Sequence, residues 1–126
     1  MSGLTLDAGA LIAVERGDEA MQALLRRAIE NPDATVNIPA GVLAQVVGRP
    51  SKQVRLMRLL RRRQTQIVEL DTGTAHAIGL MLGLRGTRDV IDASVVVCAR
   101  RHRQPIVTSD AGDLRCLDQT VELFAV

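Results

Sequence analysis

The sequence predicts an α/β protein: a single domain over residues 1–126, with a central, mainly parallel sheet covered by helices on both faces. Three observations carry this. Short apolar or β-branched runs alternate with longer helical patterns, and strand followed by helix, repeated, builds a parallel sheet with crossover connections. An apolar fraction of 47% beside 24% charged residues supplies a core and does not read as disorder. No internal repeat, low-complexity tract or linker divides the chain.

Taken in order, L-T-L at 4–6 reads as the first strand, T-V-N-I at 35–38 as the second and I-V-E-L at 67–70 as the third. P-I-V-T at 105–108 and V-E-L-F at 121–124 read as the last two. Helical patterns fill 19–30, 40–47, 51–63, 74–84 and 90–102. Asp18 and Glu19 resemble an ordinary helix start, Asp71 can cap the helix after the third strand, and Ser51 after Pro50 suits another start. Gly86 suits a stop. Glu69 is expected on the solvent side of the third strand, Asp33 in a turn, and Glu15 and Glu30 on helix faces.

Composition narrows the function. No apolar run approaches the ~18 residues that span a bilayer, and M-S-G-L-T-L-D lacks the basic start and apolar stretch of a secretory signal. A cytoplasmic protein is expected, with no membrane partner and with Cys98 and Cys116 reduced. Phe124 is the only aromatic residue, which excludes modules that stack RNA bases on sheet aromatics. Any nucleic acid would be held by its phosphates. Of the 16 basic residues only Lys52 is not arginine. The run Q-V-R-L-M-R-L-L-R-R-R puts Arg55, Arg58 and Arg62 on one helical face, where they suit sequence-independent phosphate contacts. A solvated face accounts for them equally well. Arg100, Arg101 and Arg103 form a second cluster, and His76 and His102 read as surface or packing residues.

The acids carry the sharper signal. L-T-L-D ends in Asp7, P-I-V-T-S-D ends in Asp110, and Asp113 follows in D-A-G-D-L. Asp89 and Asp92 open the helix that leads into the strand before Asp110. In a parallel sheet the carboxyl ends of neighbouring strands share an edge, and ligands bind there. A helix returning to the far edge starts at the same face. All five aspartates can therefore converge from three segments. Each alone reads as a helix cap or turn residue. Together they would repel and raise one another's pKa, which a cation relieves. Oxygen ligands without His or Cys point to Mg²⁺ or Mn²⁺. The formal charge is +2 with these five carboxylates counted, so the rest of the chain is strongly positive, as an enzyme acting on a polyanion requires.

These motifs resemble the PIN-domain family, specifically the ribonuclease toxins of VapBC toxin–antitoxin pairs. L-T-L-D-A-G-A-L-I-A is similar to the family's first strand and helix, R-D-V-I-D-A-S-V-V-V-C-A-R to its third acidic motif, and P-I-V-T-S-D-A-G-D-L to its fourth. The resemblance covers nearly the whole chain. It implies a Rossmann-like α/β/α sandwich, a Mg²⁺ or Mn²⁺ site and endonucleolytic cleavage of structured RNA such as tRNA or rRNA. It also implies a homodimer and inhibition by a cognate VapB-type antitoxin. Asp7 and Asp92 would be direct metal ligands, with Asp110 or Asp113 a third. Thr108 and Ser109 would orient a carboxylate. One position departs from the pattern: in P-A-G-V-L-A-Q-V-V, Gln45 stands where the family usually carries glutamate. Its amide can ligate or orient a water but adds no charge, and Asp89 is the candidate to supply the missing carboxylate.

Two other readings compete. A catalytically weak or inactive RNA- or protein-binding domain would follow from Gln45. Phosphoryl transfer through an aspartyl-phosphate also uses a strand-end Asp with Mg²⁺. That chemistry would want a second Asp two residues after Asp7, where Gly9 stands, or a lysine at a late strand end, where there is none.

Overall fold

The computed structural model of the chain describes residues 2–48 and 53–126. Five parallel strands form its sheet: β1 (Gly3–Leu6), β2 (Thr35–Pro39), β3 (Thr65–Val68), β4 (Ile106–Thr108) and β5 (Leu123–Ala125). They lie in the order β3-β2-β1-β4-β5. Every neighbouring pair is parallel, with Leu4 opposite Val36 and Leu6 opposite Val107 across the centre. The α/β expectation is met. β1 is central and buried along its whole length, which is why it reads as a run rather than an alternation.

Seven helices are seen among the described residues. They are α1 (Ala8–Arg16), α2 (Glu19–Glu30), α3 (Ala40–Val46), α4 (Val54–Leu60), α5 (Thr72–Arg85), α6 (Val90–His102) and α7 (Ala111–Leu117). Aspartate starts four of them in the same way. The side chains of Asp7, Asp18, Asp71 and Asp89 each accept the amide N–H three residues on, at 2.8–2.9 Å. Gly17 and Gly86 stop α1 and α5 in the left-handed conformation, both at φ 70°. The core is aliphatic throughout, with Leu4, Leu6, Leu11, Met21, Ile38, Leu56, Val95, Ile106 and Leu114 all buried. No helix among the described residues is long and apolar enough to cross a membrane.

The structure corrects several boundaries. The third strand lies at Thr65–Val68 rather than 67–70, because its start is set by backbone bonds to β2 that the polar Thr65 and Gln66 conceal. Glu69 therefore follows the strand. The last strand begins at Leu123, since the Asp118 side chain holds Thr120 in a turn just before it. The helix expected over 51–63 is seen as Val54–Leu60; the Ser51 start lies outside the described residues. Arg61 closes that helix, and Arg62 lies beyond its end. The seven-residue α7 went unread because Gly112 breaks its pattern.

At the amino ends of the strands, buried Gln104 joins three segments. Its Nε2 donates to the Thr35 carbonyl at 3.1 Å and to the Ser2 carbonyl at 3.3 Å. Its Oε1 accepts from Thr5 Oγ1 and Asn37 Nδ2, each at 2.9 Å.

Candidate active site

The opposite rim, at the carboxyl ends of the strands, gathers the aspartates. β1 and β4 are neighbours, so the residues just past Leu6 and Val107 meet side by side. Asp7 is held at both carboxylate oxygens. Oδ1 accepts the Ala10 amide at 2.9 Å, and Oδ2 accepts a short hydrogen bond from the Thr108 hydroxyl. Thr108 Oγ1 in turn accepts the Asp110 amide at 2.8 Å. Asp7 is 8% exposed, and burial pushes its pKa up against the pull of those hydrogen bonds, with Asp110 adding repulsion.

Asp89 and Asp92 come from the start of α6. Asp89 is its cap, accepting the Asp92 amide. Asp92, in the first turn, is half-buried, and its pKa is pushed up to about 6. Burial is the largest cause, followed by repulsion from Asp89, Asp113, Asp110 and Asp7. Asp92 thus feels all four of the other predicted carboxylates. Asp113, exposed in the first turn of α7, is raised by its hydrogen bond to Asp110, then by that residue's charge, with burial and Asp89 adding less. The acids from three segments come within electrostatic reach of Asp92, and Asp7 and Asp89 do so while also capping their helices.

Gln45 lies on the exposed side of α3, one turn after Gly41. Gly41 is where α3 and α6 touch: a Cβ there would sit 2.4 Å from Ile91 Cδ1. Ser109 packs on α1, where a Cβ at Gly9 would come within 1.9 Å of its Oγ. Glycine at 9 is what lets α1 start flush against the β4–α7 connection.

The donor set suits a hard divalent cation, because every group is a carboxylate oxygen and, among the described residues, no basic side chain offsets the shifts of Asp7, Asp92 or Asp113. Among the described residues no three acidic, His or Cys side chains already stand as a closed metal-binding group. Coordination would draw the exposed Asp110 or Asp113 toward the fixed Asp7 and the half-buried Asp92.

The arginines lie elsewhere. Arg55, Arg58 and Arg62 do line one groove, of about 240 Å³, together with Arg26, Leu25 and Ile29. It lies at the far end of α1 from Asp7: Arg55 donates to the Glu15 carbonyl at 3.4 Å and packs its guanidinium on Gly17. Arg62 joins from the turn after α4, so the shared helical face covers only Arg55 and Arg58. In the second cluster Arg100 pairs with Asp118 at 3.5 Å, and Arg101 donates to Thr74 Oγ1 at 2.6 Å. His102 packs locally, its Nδ1 2.8 Å from the Cys98 carbonyl, and both cysteines are free.

Sequence reasoning passed over a second groove, of about 470 Å³, that starts at Ser109 and follows α1 past Gly9, Ile12 and Ala13 to Arg16. Those four residues recur at i, i+3, i+4 and i+7, a single helical face, and that spacing was the available signal.

A family model described as the PIN domain matches residues 4–117. No curated protein matches the sequence. Among solved structures, a chain in the crystal structure of VapBC2 from Rickettsia felis, bound to a DNA fragment from its promoter, aligns with TM-score 0.74 at 17% identity. The alignment covers 98% of each chain. A chain of FitAcB from Neisseria gonorrhoeae aligns with TM-score 0.66 at 18% identity over 96% of each. One in FitAB bound to the IR36 DNA fragment gives 0.64 at 15%, over 97% of this chain and 94% of that one.

Proposed function

The chain belongs to the PIN domain family, and from that premise we propose that it is a metal-dependent endoribonuclease, the toxin of a toxin–antitoxin pair. The observation that carries the reading is the position of Asp92, whose carboxylate lies in electrostatic reach of four others on one strand-end rim. Five acids in a chain of net charge +2 are held together at a cost that a divalent cation would offset. When bound, Mg²⁺ or Mn²⁺ would lower the pKa of a water and screen charge on the phosphate.

In this reading Asp7, fixed by Ala10 and Thr108, and Asp92 on α6 are the direct ligands. Asp110 or Asp113 completes the set, and their mutual repulsion, which raises the Asp113 pKa, is what a bound cation would relieve. Thr108 keeps Asp7 in place, while Ser109 seats α1. Hydrolysis joins a water oxygen to phosphorus and breaks one P–O ester bond, the departing ribose oxygen taking up a proton. Arg55, Arg58 and Arg62 would hold the RNA backbone beyond the far end of α1. A structured RNA reaching both sites is the substrate class that fits. A cognate antitoxin would silence the rim by placing a basic side chain among the aspartates, and a homodimer is the expected assembly.

Gln45 favours a second reading, a domain that binds RNA without cutting it. Incubating the protein with structured cellular RNA and Mg²⁺ or Mn²⁺, beside Asp7→Asn purified in parallel, separates the two. Cleavage that needs metal and is lost in Asp7→Asn supports the nuclease. Cleavage that persists equally in Asp7→Asn is contamination, and binding without cleavage moves the assignment to the second reading.

A further inference from the structure

The groove along α1 leads directly away from the acidic rim. One end is Ser109, the residue before Asp110, packed against Gly9; the other end is Arg16, on the last turn of α1. Between them Gly9 and Ala13 leave depth, and Ile12 gives the floor an aliphatic surface. Arg16 is exposed, and its side chain makes no hydrogen bond or ion pair among the described residues. Its Cα is nine residues from that of Asp7, about 13.5 Å along a helix axis. Helical side chains lean toward the amino end, so Arg16 reaches back toward the rim. The volume of about 470 Å³ is that of a small-ligand pocket. Asp18, at the far lip, turns one carboxylate oxygen to the Met21 amide at 2.9 Å, so its charge is offset by the start of α2.

We propose that this groove is a subsite for single-stranded RNA: the nucleotide beside the scissile phosphate lies on Ile12 and Ala13, and Arg16 holds that nucleotide's outer phosphate. The proposal rests on the nuclease reading, which places the scissile phosphate at the aspartates. An aliphatic floor accepts any base, because contact with a ribose or base face carries no hydrogen-bond code. The subsite therefore sets register along the strand rather than sequence. A lone cation in the last turn also suits the helix dipole, so the test must read something that a structural role would not move.

The probes are fluorescein-labelled oligouridylates of two and five nucleotides, bound to the otherwise native chain in Ca²⁺, which takes the same oxygen ligands, and followed by anisotropy. Arg16→Ala should weaken the pentamer about fivefold and leave the dimer unchanged, as loss of one exposed phosphate contact predicts. The slope of log Kd against log salt should fall by about 0.7 for the pentamer, and Arg16→Lys should restore it. An unchanged pentamer affinity and slope, or an equal loss on both lengths, overturns the subsite. In that case metal-dependent cleavage by the otherwise native chain still stands, so the subsite fails alone. If that chain neither cleaves nor binds RNA, the nuclease reading and the subsite fall together.

Discussion

Replacing Asp92 with asparagine should make the metal-free protein more stable at neutral pH. The reason is the company the carboxylate keeps. In the folded chain its pKa is about 6, against 3.8 for an unperturbed aspartate, with burial the first cause and four neighbouring acids the rest. A raised pKa means that the folded state binds the proton more tightly than the unfolded one. Stability from this group is therefore full below the lower value, drains away as pH climbs through about 6, and stays lost above it. At about 1.36 kcal/mol per unit the gap sets a ceiling near 3 kcal/mol. Asp92 is only half-buried, and solvent screening reduces the net effect to about 1 kcal/mol. Asparagine keeps the shape and drops the charge, so it should recover about 1 kcal/mol, a rise in Tm of about 4 °C for a domain of this size. Urea denaturation in EDTA, near pH 4 and again at neutral pH, measures it. The variant should gain only at neutral pH, and saturating Mg²⁺ should then stabilise the native chain but not the variant. Equal stability of the two proteins at neutral pH, or the same gain at both values, would refute the picture of a charge cluster under strain.

Three further outcomes follow from the same rim. Thr108→Val removes the hydroxyl that donates to Asp7 and accepts from Asp110; it should cost about 1–2 kcal/mol in urea denaturation and raise the Asp7 pKa further in an NMR titration. Gly9→Ala drives a methyl into Ser109 and should cost about 1–3 kcal/mol by thermal melting; an unshifted melt would mean that α1 is not seated as described. Asp89→Asn keeps the cap of α6 and removes a charge, so melting should hold while Mg²⁺ affinity by calorimetry falls, though less than in Asp92→Asn. Unchanged affinity in Asp89→Asn, with affinity abolished in Asp92→Asn, would show that Asp89 does not stand in for the carboxylate missing at Gln45.

The site was legible because its geometry follows from connectivity. Once β1 and β4 are parallel neighbours, an acid after each strand and an acid opening the intervening helix must share an edge, and no side-chain detail is needed to say so. α6 was legible from end to end, since Asp89 caps it and its apolar run continues to a basic last turn. What failed did so where the backbone overrides side-chain pattern. β3 is an edge strand whose exposed Gln66 and Ile67 blur the alternation, so the apolar residues two places later drew the boundary. The Arg62 placement failed because a turn, invisible in the spacing of R-L-L-R-R-R, ends α4 at Leu60. The groove along α1 is harder to read: the helical spacing of Gly9, Ile12, Ala13 and Arg16 marks a shared face, but not that Ser109 closes one end of it.

The end of the sheet remote from the aspartates has a bearing on them. Gln104 ties Ser2, Thr5, Thr35 and Asn37 through a single amide, so β1 cannot slip against β2 without breaking several hydrogen bonds together. A slip of one residue would carry Asp7 about 3.3 Å along the strand and turn its side chain to the wrong face. The acidic edge inherits its alignment from a clasp at the opposite end of the sheet, so a change at Gln104 would shift the aspartates from the other side of the molecule.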